Sequence, residues 1–247
     1  VEIKIVNTYV RGNIHLTKVD SEYPDNKLTG ATFEVYKDSN ANGKLDSGDE
    51  LLGTLTEKEK GEYSMNDLFH GRYFVKETKA PEGFVLDTGV YEVMIDTNGK
   101  TYEVENKAGV GFVNDAMRGN LKIVKTSSDG KVKGFAFRIT GANGYDIILE
   151  TNDKGEIFID GLRIGDYTIS EVSNSASSMY VIPADKKATV KLGSTTIVEM
   201  HNVLRDTPKT GDTTNLPLLY ALAGLSAVGI AVCGVIGFKK KKKEDRN

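Results

Sequence analysis

The chain is 247 residues long, with a formal net charge of −3, 26 glycines, 5 prolines, one cysteine and no tryptophan. So small a charge gives no long-range pull on nucleic acid and excludes it as a partner. A single cysteine excludes a disulfide within the chain. The length fits one or two domains with extra segments. Before residue 216, short alternating runs broken by Gly, Asn and Asp dominate, which predicts an all-β fold.

The chain begins at Val1, inside a stretch that recurs later. Ile5-Val-Asn-Thr-Tyr-Val-Arg-Gly-Asn-Ile-His-Leu-Thr-Lys18 has a close copy in Phe112-Val-Asn-Asp-Ala-Met-Arg-Gly-Asn-Leu-Lys-Ile-Val-Lys125. Residues 1–11 read as the end of an upstream domain, and the chain as the C-terminal part of a longer protein, so a missing leader says nothing. A second correspondence follows: Gly61-Glu-Tyr63, Leu68, Gly71-Arg-Tyr73 and Glu77 match Gly155-Glu-Ile157, Leu162, Gly165-Asp-Tyr167 and Glu171 at equal offsets. Length differences confined to loops over a shared strand pattern predict two copies of one sandwich. We place the first at 12–117 and the second at 118–204, with a very short linker that sets them end to end as a stalk.

In the first copy the strands are predicted at 13–20, 32–37, 50–55, 72–78, 90–96, 101–106 and 110–115, with Asn98-Gly99 as a hairpin turn. In the second they fall at 120–126, 135–140, 145–150, 156–159, 166–172, 187–191 and 195–202. Seven-odd short strands per copy predict tandem immunoglobulin- or prealbumin-like β-sandwiches.

With side chains alternating between faces, Ile14, Leu16 and Lys18 share one face, Tyr73, Val75 and Glu77 another, and Phe112 and Asn114 a third. The second copy repeats this with Leu121, Ile123 and Lys125, with Tyr167, Ile169 and Glu171, and with Asn202. Each copy therefore turns a Lys, a Glu and an Asn inward, and lysine is almost never buried without a reason. A strand parity off by one would leave the lysines solvated; with them inward, two readings remain open. One is a buried ion pair with the Asn hydrogen-bonded beside it. The other is chemistry: burial lowers a lysine pKa and raises a glutamate pKa, a neutral amine is a nucleophile, and a protonated Glu bonded to the Asn carbonyl can polarise it. Trapped side by side, amine and carboxamide would form a Lys–Asn isopeptide bond with loss of ammonia.

The insert Asp38-Ser-Asn40-Ala-Asn42-Gly43-Lys-Leu-Asp46-Ser-Gly-Asp49 has oxygen ligands at Ca²⁺-loop spacing, although Asp49 stands where a bidentate Glu is usual. An acidic hairpin tip turned at Asn42-Gly43 is the preferred alternative. His15, His70 and His201 share no metal-ligand spacing and read as surface residues. No catalytic triad, phosphate loop or paired catalytic carboxylate is present, so no turnover enzyme is predicted.

Residues 205–215 form a polar linker, 216–238 carry no charge and are long enough to span a bilayer, and 239–247 begin with five lysines, which places that tail in the cytoplasm and the β-domains outside.

Leu16-Thr-Lys-Val-Asp20, Gly30-Ala-Thr-Phe33 and Glu77-Thr-Lys-Ala-Pro-Glu-Gly-Phe84 resemble the Cna B-type (prealbumin-like, SpaA-like) domains of Gram-positive surface proteins and pilins. The last stretch is similar to that family's ETxAPxGY box, with Phe84 in place of Tyr. The resemblance implies an autocatalytic Lys18–Asn114 bond promoted by Glu77, and a Lys125–Asn202 bond promoted by Glu171. The second copy departs from the box, as Glu171-Val-Ser-Asn-Ser-Ala lacks its Ala-Pro and Gly-Tyr parts. Asn7 matches Asn114 and Asn202, but its lysine and acid would lie upstream.

Thr207-Pro208-Lys209-Thr210-Gly211, followed by the span and basic tail, resembles an LPxTG sorting signal with Thr207 for Leu. It implies sortase cleavage between Thr210 and Gly211, and transfer to peptidoglycan or to another pilin after a stage in the membrane. Together these features predict a cell-wall-anchored surface protein whose unseen upstream region meets a host ligand. A basal or tip pilin is one alternative. A membrane-retained receptor or enzyme is another, and release of the full-length chain by detergent without wall digestion would favour it.

Overall fold

In the repeated stretch, apolar residues at every second position let a strand bury one face while Thr and His meet water on the other. Strand β1 (Arg11–Asp20) follows this rule, with Ile14, Leu16 and Lys18 inward. The computed structural model describes residues 8–206. The chain divides after Leu204, and both β-sandwiches belong to the first unit.

The first sandwich continues with β2 (Thr32–Lys37), β3 (Glu50–Thr54), β4 (Thr56–Glu59), β5 (Glu62–Phe69), β6 (Gly71–Lys79), β7 (Val90–Ile95), β8 (Thr101–Glu103) and β9 (Phe112–Asn114). One sheet runs β4-β5-β1-β8, with β9 also on β1, and the facing sheet runs β3-β2-β6-β7. Phe33, Tyr63, Tyr73, Val75 and Phe112 fill the space between them, with Phe33 and Phe112 edge to face at 4.9 Å.

The second sandwich comprises β10 (Arg118–Ser127), β11 (Ala136–Thr140), β12 (Asp146–Glu150), β13 (Glu156–Arg163), β14 (Gly165–Val172), β15 (Tyr180–Val181), β16 (Lys186–Val190) and β17 (Thr195–Leu204). Its sheets run β13-β10-β17-β15 and β12-β11-β14-β16. In both sandwiches the first strand lies parallel to the last and beside it, β1 with β9 and β10 with β17. Over the described residues the architecture is thus two tandem all-β sandwiches, as predicted.

The repeated Arg-Gly-Asn has a structural task. The Asn13 side-chain oxygen accepts the N–H of Asp67, and Asn120 does the same for Gly161, both at 3.1 Å. Asp67 and Gly161 have positive φ (63° and 64°) and sit where the pairing to the first strand slips by one residue. The asparagine therefore satisfies a backbone donor that a bulge leaves out of the ladder. Gly119 cannot carry a side chain, since a Cβ there would lie 2.0 Å from the Lys191 carbonyl oxygen.

Three expectations are corrected. Asn98-Gly99 does not turn a hairpin: β7 pairs with β6 in one sheet and β8 with β1 in the other. The turn hydrogen-bonds Arg11 instead, through the Asn98 side chain (3.0 Å) and the Gly99 N–H (2.7 Å). Sequence alternation does not mark β4 and β5: β4 (Thr-Glu-Lys-Glu) has no apolar residue to alternate, and the bulge at Asp67 interrupts the pattern of β5. The two-residue β15 is likewise additional.

The sandwiches meet through charged side chains. Arg163 donates to buried Asp20 at 2.6 and 2.8 Å and to Glu22 at 2.7 Å, and Arg118 also pairs with Glu22. Backbone bonds from Met117 to Gly83 and from Ile164 to Met117 complete the junction. Among the described residues no helix is long and apolar enough to cross a membrane. The span expected at 216–238, the motif Thr207–Gly211 and Asn7 lie outside the described residues.

Candidate functional site

The parallel pairing sets Lys18 opposite Phe112 and Asp20 opposite Asn114, so Lys18 and Asn114 lie one inward position apart on neighbouring strands. Glu77 reaches them from the opposite sheet, and all three are buried. The Lys18 amine donates to the Asn114 side-chain oxygen and, at 3.1 Å, to the Phe112 carbonyl. The Asn114 amide nitrogen donates to Glu77 Oε2 and to the Val85 carbonyl, each at 2.8 Å. Glu77 Oε1 lies 3.9 Å from the Lys18 nitrogen. Burial pushes the Lys18 amine down to about 8, against the opposing pull of Glu77, Asp87 and Asp20. It pushes the Glu77 carboxyl up, despite hydrogen bonds from Asp87 and Asn114. Both shifts favour the neutral forms that nucleophilic attack and proton donation require.

One detail differs from the sequence reading, which aimed Glu77 at the Asn carbonyl. The carboxyl instead faces the amide nitrogen, the group that would leave as ammonia, while the amine meets the carbonyl side. Attack and departure would thereby be served from opposite ends of one carboxamide.

The second sandwich gathers the same residue types less completely. Lys125, Glu171 and Asn202 are buried, and the Asn202 amide nitrogen donates to Glu171 Oε1 at 2.6 Å. The Lys125 amine, however, donates to its neighbour's carbonyl at Thr126 (2.5 Å) and sits 4.1 Å above the centre of the Phe135 ring. Asn202 Oδ1 and Glu171 Oε2 are buried without a hydrogen-bond partner among the described residues. Burial lowers the Lys125 pKa and raises that of Glu171.

Two residues escaped the sequence reading. Asp87 donates its backbone N–H to Glu77 Oε2 at 2.8 Å, and Asn106 binds the Val113 backbone beside Asn114. They lie in loops without periodicity. The available cue was Asp87 two residues before Gly89, the spacing of an Asx turn.

The Asp38–Asp49 loop joins the antiparallel strands β2 and β3. Its oxygens bind its own donors: Asp38 accepts from the Asn42 and Gly43 N–H groups, Asp46 from the Asn40 and Asn42 side chains, and Asp49 from the Ser39 and Asp46 N–H groups. Among the described residues no group of three or more His, Cys, Asp or Glu is arranged to hold a metal ion.

The two tandem sandwiches, each enclosing a Lys, a Glu and an Asn, define a tandem β-sandwich protein. Residues 12–108 and 119–203 both match the SpaA prealbumin-like fold domain, and the chain belongs to that family. The trypsin-resistant surface T6 protein of Streptococcus pyogenes serotype M6 is 29% identical over 194 residues, which are 77% of this chain and 32% of that protein. The chain thus spans about a third of the length of that curated relative. Among solved structures, the Bacillus anthracis TIE protein is similar at 25% identity with a TM-score of 0.58, over 78% of this chain and 34% of that one. GBS52, the minor pilin of Streptococcus agalactiae, is similar at 19% identity with a TM-score of 0.38, over 81% and 98% of the two chains.

Proposed function

We propose that this chain is the stalk and anchor of a Gram-positive cell-surface protein, and that its sandwiches staple themselves with Lys–Asn isopeptide bonds. The observation that carries the reading is the buried contact of Lys18 with the Asn114 carboxamide, whose nitrogen lies 2.8 Å from Glu77. The neutral amine attacks Asn114 Cγ, a C–N bond forms, and the bond from Cγ to Nδ2 breaks. Glu77 passes a proton to the departing nitrogen and takes one from the attacking amine, so ammonia leaves and the carboxyl ends as it began. Each site reacts once, so the chain is not a turnover enzyme. Lys125, Glu171 and Asn202 form the second site.

The extracellular, wall-anchored location rests on family membership, on the surface protein among the relatives, and on the order of sorting motif, uncharged span and basic tail. Sortase would cleave between Thr210 and Gly211 and transfer the chain to peptidoglycan. The function is then to hold an upstream region away from the envelope under load. Digesting the full chain and sequencing the peptides tests the staple: a branched peptide joining Lys18 to Asn114 is expected, and separate linear peptides would contradict it. Muramidase treatment of cells followed by blotting tests the anchor. A single released band fits a lone wall protein, and a high-mass ladder fits a pilus subunit.

A further inference from the structure

The loop between β6 and β7 brings two backbone groups to the first site. The Val85 carbonyl accepts one hydrogen of the Asn114 amide and the Asp87 N–H holds the Glu77 carboxyl, both at 2.8 Å. That loop is fastened by the Asp87 side chain, which accepts from the Gly89 N–H (2.6 Å), the Tyr91 hydroxyl (2.9 Å) and the Asn106 amide (2.7 Å). Asn106 in turn donates to the Val113 carbonyl (2.8 Å) and accepts the Val113 N–H (2.6 Å), as a strand neighbour would. Asp87 and Asn106 therefore tie the loop that holds the carboxamide to the strand that carries it. Beside them a hollow of about 310 Å³, lined by Val85, Asp87, Asn106 and Asn114 among others, adjoins the carboxamide.

The second sandwich provides an internal comparison. The loop after β14 is fastened by Asn174, which donates to the Gly134 carbonyl at 2.7 Å and exchanges hydrogen bonds with Ser177. There the Asn202 oxygen has no hydrogen-bond partner among the described residues, and the lysine amine is bonded elsewhere.

Taking the Lys18–Asn114 cross-link as given, we propose that Asp87, clasped by Asn106, is a positioning residue for that reaction: it fixes the 85–87 backbone so that the carboxamide is held between amine and carboxyl. Its charge also acts on the pair. Lys18 faces Glu77, Asp87 and Asp20, and Glu77 faces Lys18 and Asp87. The Asp87 carboxylate, held ionised by the Asn106, Gly89 and Tyr91 bonds against the opposing effect of burial, raises both pKa values. Removing the charge lowers both, so the whole pH–rate profile moves to lower pH.

The test uses the full chain, recovered unfolded and unreacted from inclusion bodies and refolded in detergent at a series of pH values. Lys18–Asn114 peptide formation is followed by mass spectrometry. Asp87→Asn is expected to slow the bond roughly ten- to a hundredfold, because a misplaced reacting group loses rate on that scale, and to shift the profile toward acid. Asn106→Ala leaves Asp87 its Gly89 and Tyr91 partners and should slow the bond without moving the profile. If Asp87→Asn does not refold, as judged by tyrosine circular dichroism, the Asn106→Ala rate alone decides. Rates within about twofold of wild type, a change small on the scale of lost positioning, overturn the inference. So does a slowed Asp87→Asn variant whose profile stays in place. A wild-type chain that never forms the bond overturns the cross-link itself, a result distinct from unaffected variants in a chain that does.

Discussion

Lys18 and Asn114 stand 96 residues apart in the sequence, yet the amine of one meets the carboxamide of the other inside the first sandwich. The contact follows from topology: the first strand lies parallel to the last, and both side chains face inward. A covalent bond there closes nearly the whole domain into one loop. Glu77→Gln keeps the shape of the acid but removes its proton transfer, so the fold should survive and the bond should not. Closing a loop of about 100 residues stabilises by about 4 to 5 kcal/mol in the chain-entropy account. Urea unfolding of the variant should show a loss of that order, and an unchanged midpoint would argue against the bond.

Bond formation in the first sandwich should have a bell-shaped pH dependence. The reactive pair carries one proton, on Glu77, and none on the Lys18 amine. Below the raised Glu77 range both groups are protonated and the amine is no nucleophile. Above about 8, the value to which burial brings Lys18, both are deprotonated and no acid remains. Refolding rates at stepped pH should therefore fall on both sides. A rate that climbs steadily beyond pH 10, where even an ordinary lysine loses its proton, would exclude Glu77 as the acid.

The two bonds should form in order. Lys18 already touches its carboxamide, whereas Lys125 must leave the Thr126 carbonyl and the Phe135 ring to reach Asn202. Stopping refolding at intervals should reveal a species bonded at 18–114 alone before the doubly bonded chain. A 125–202 bond that appears first would show that the amine position does not limit the reaction.

Arg163→Ala should weaken the junction without touching either bond. The change leaves the Asp20 carboxylate buried without its bidentate partner, and breaking a buried pair on one side costs about 3 kcal/mol or more. Denaturant unfolding should register that loss while the mass pattern stays that of wild type. An unchanged midpoint would mean that water or Arg118 replaces the contact.

Much of this was legible in the sequence wherever period two ran unbroken. The alternation through Ile14, Leu16 and Lys18 and through Tyr73, Val75 and Glu77 turned those side chains inward, and the repeat gave their counterparts in the second sandwich. Legibility failed where backbone geometry, not pattern, decided. The positive-φ residue at Asp67 broke the alternation of β5, and Asn98-Gly99 carried a hairpin signature while crossing between sheets. Burial of Lys125 could be read, but not the side-chain direction that sends its amine to Thr126, because parity fixes a face and no rotamer. Asp87 acts from a loop, where only a local Asp-x-Gly turn marks it.

The most direct test is the intact mass of the folded full chain, with Lys18→Ala beside it. The wild-type chain should be lighter than its sequence by two ammonia molecules, and the variant by only one. A wild-type mass equal to that of the sequence would contradict it outright.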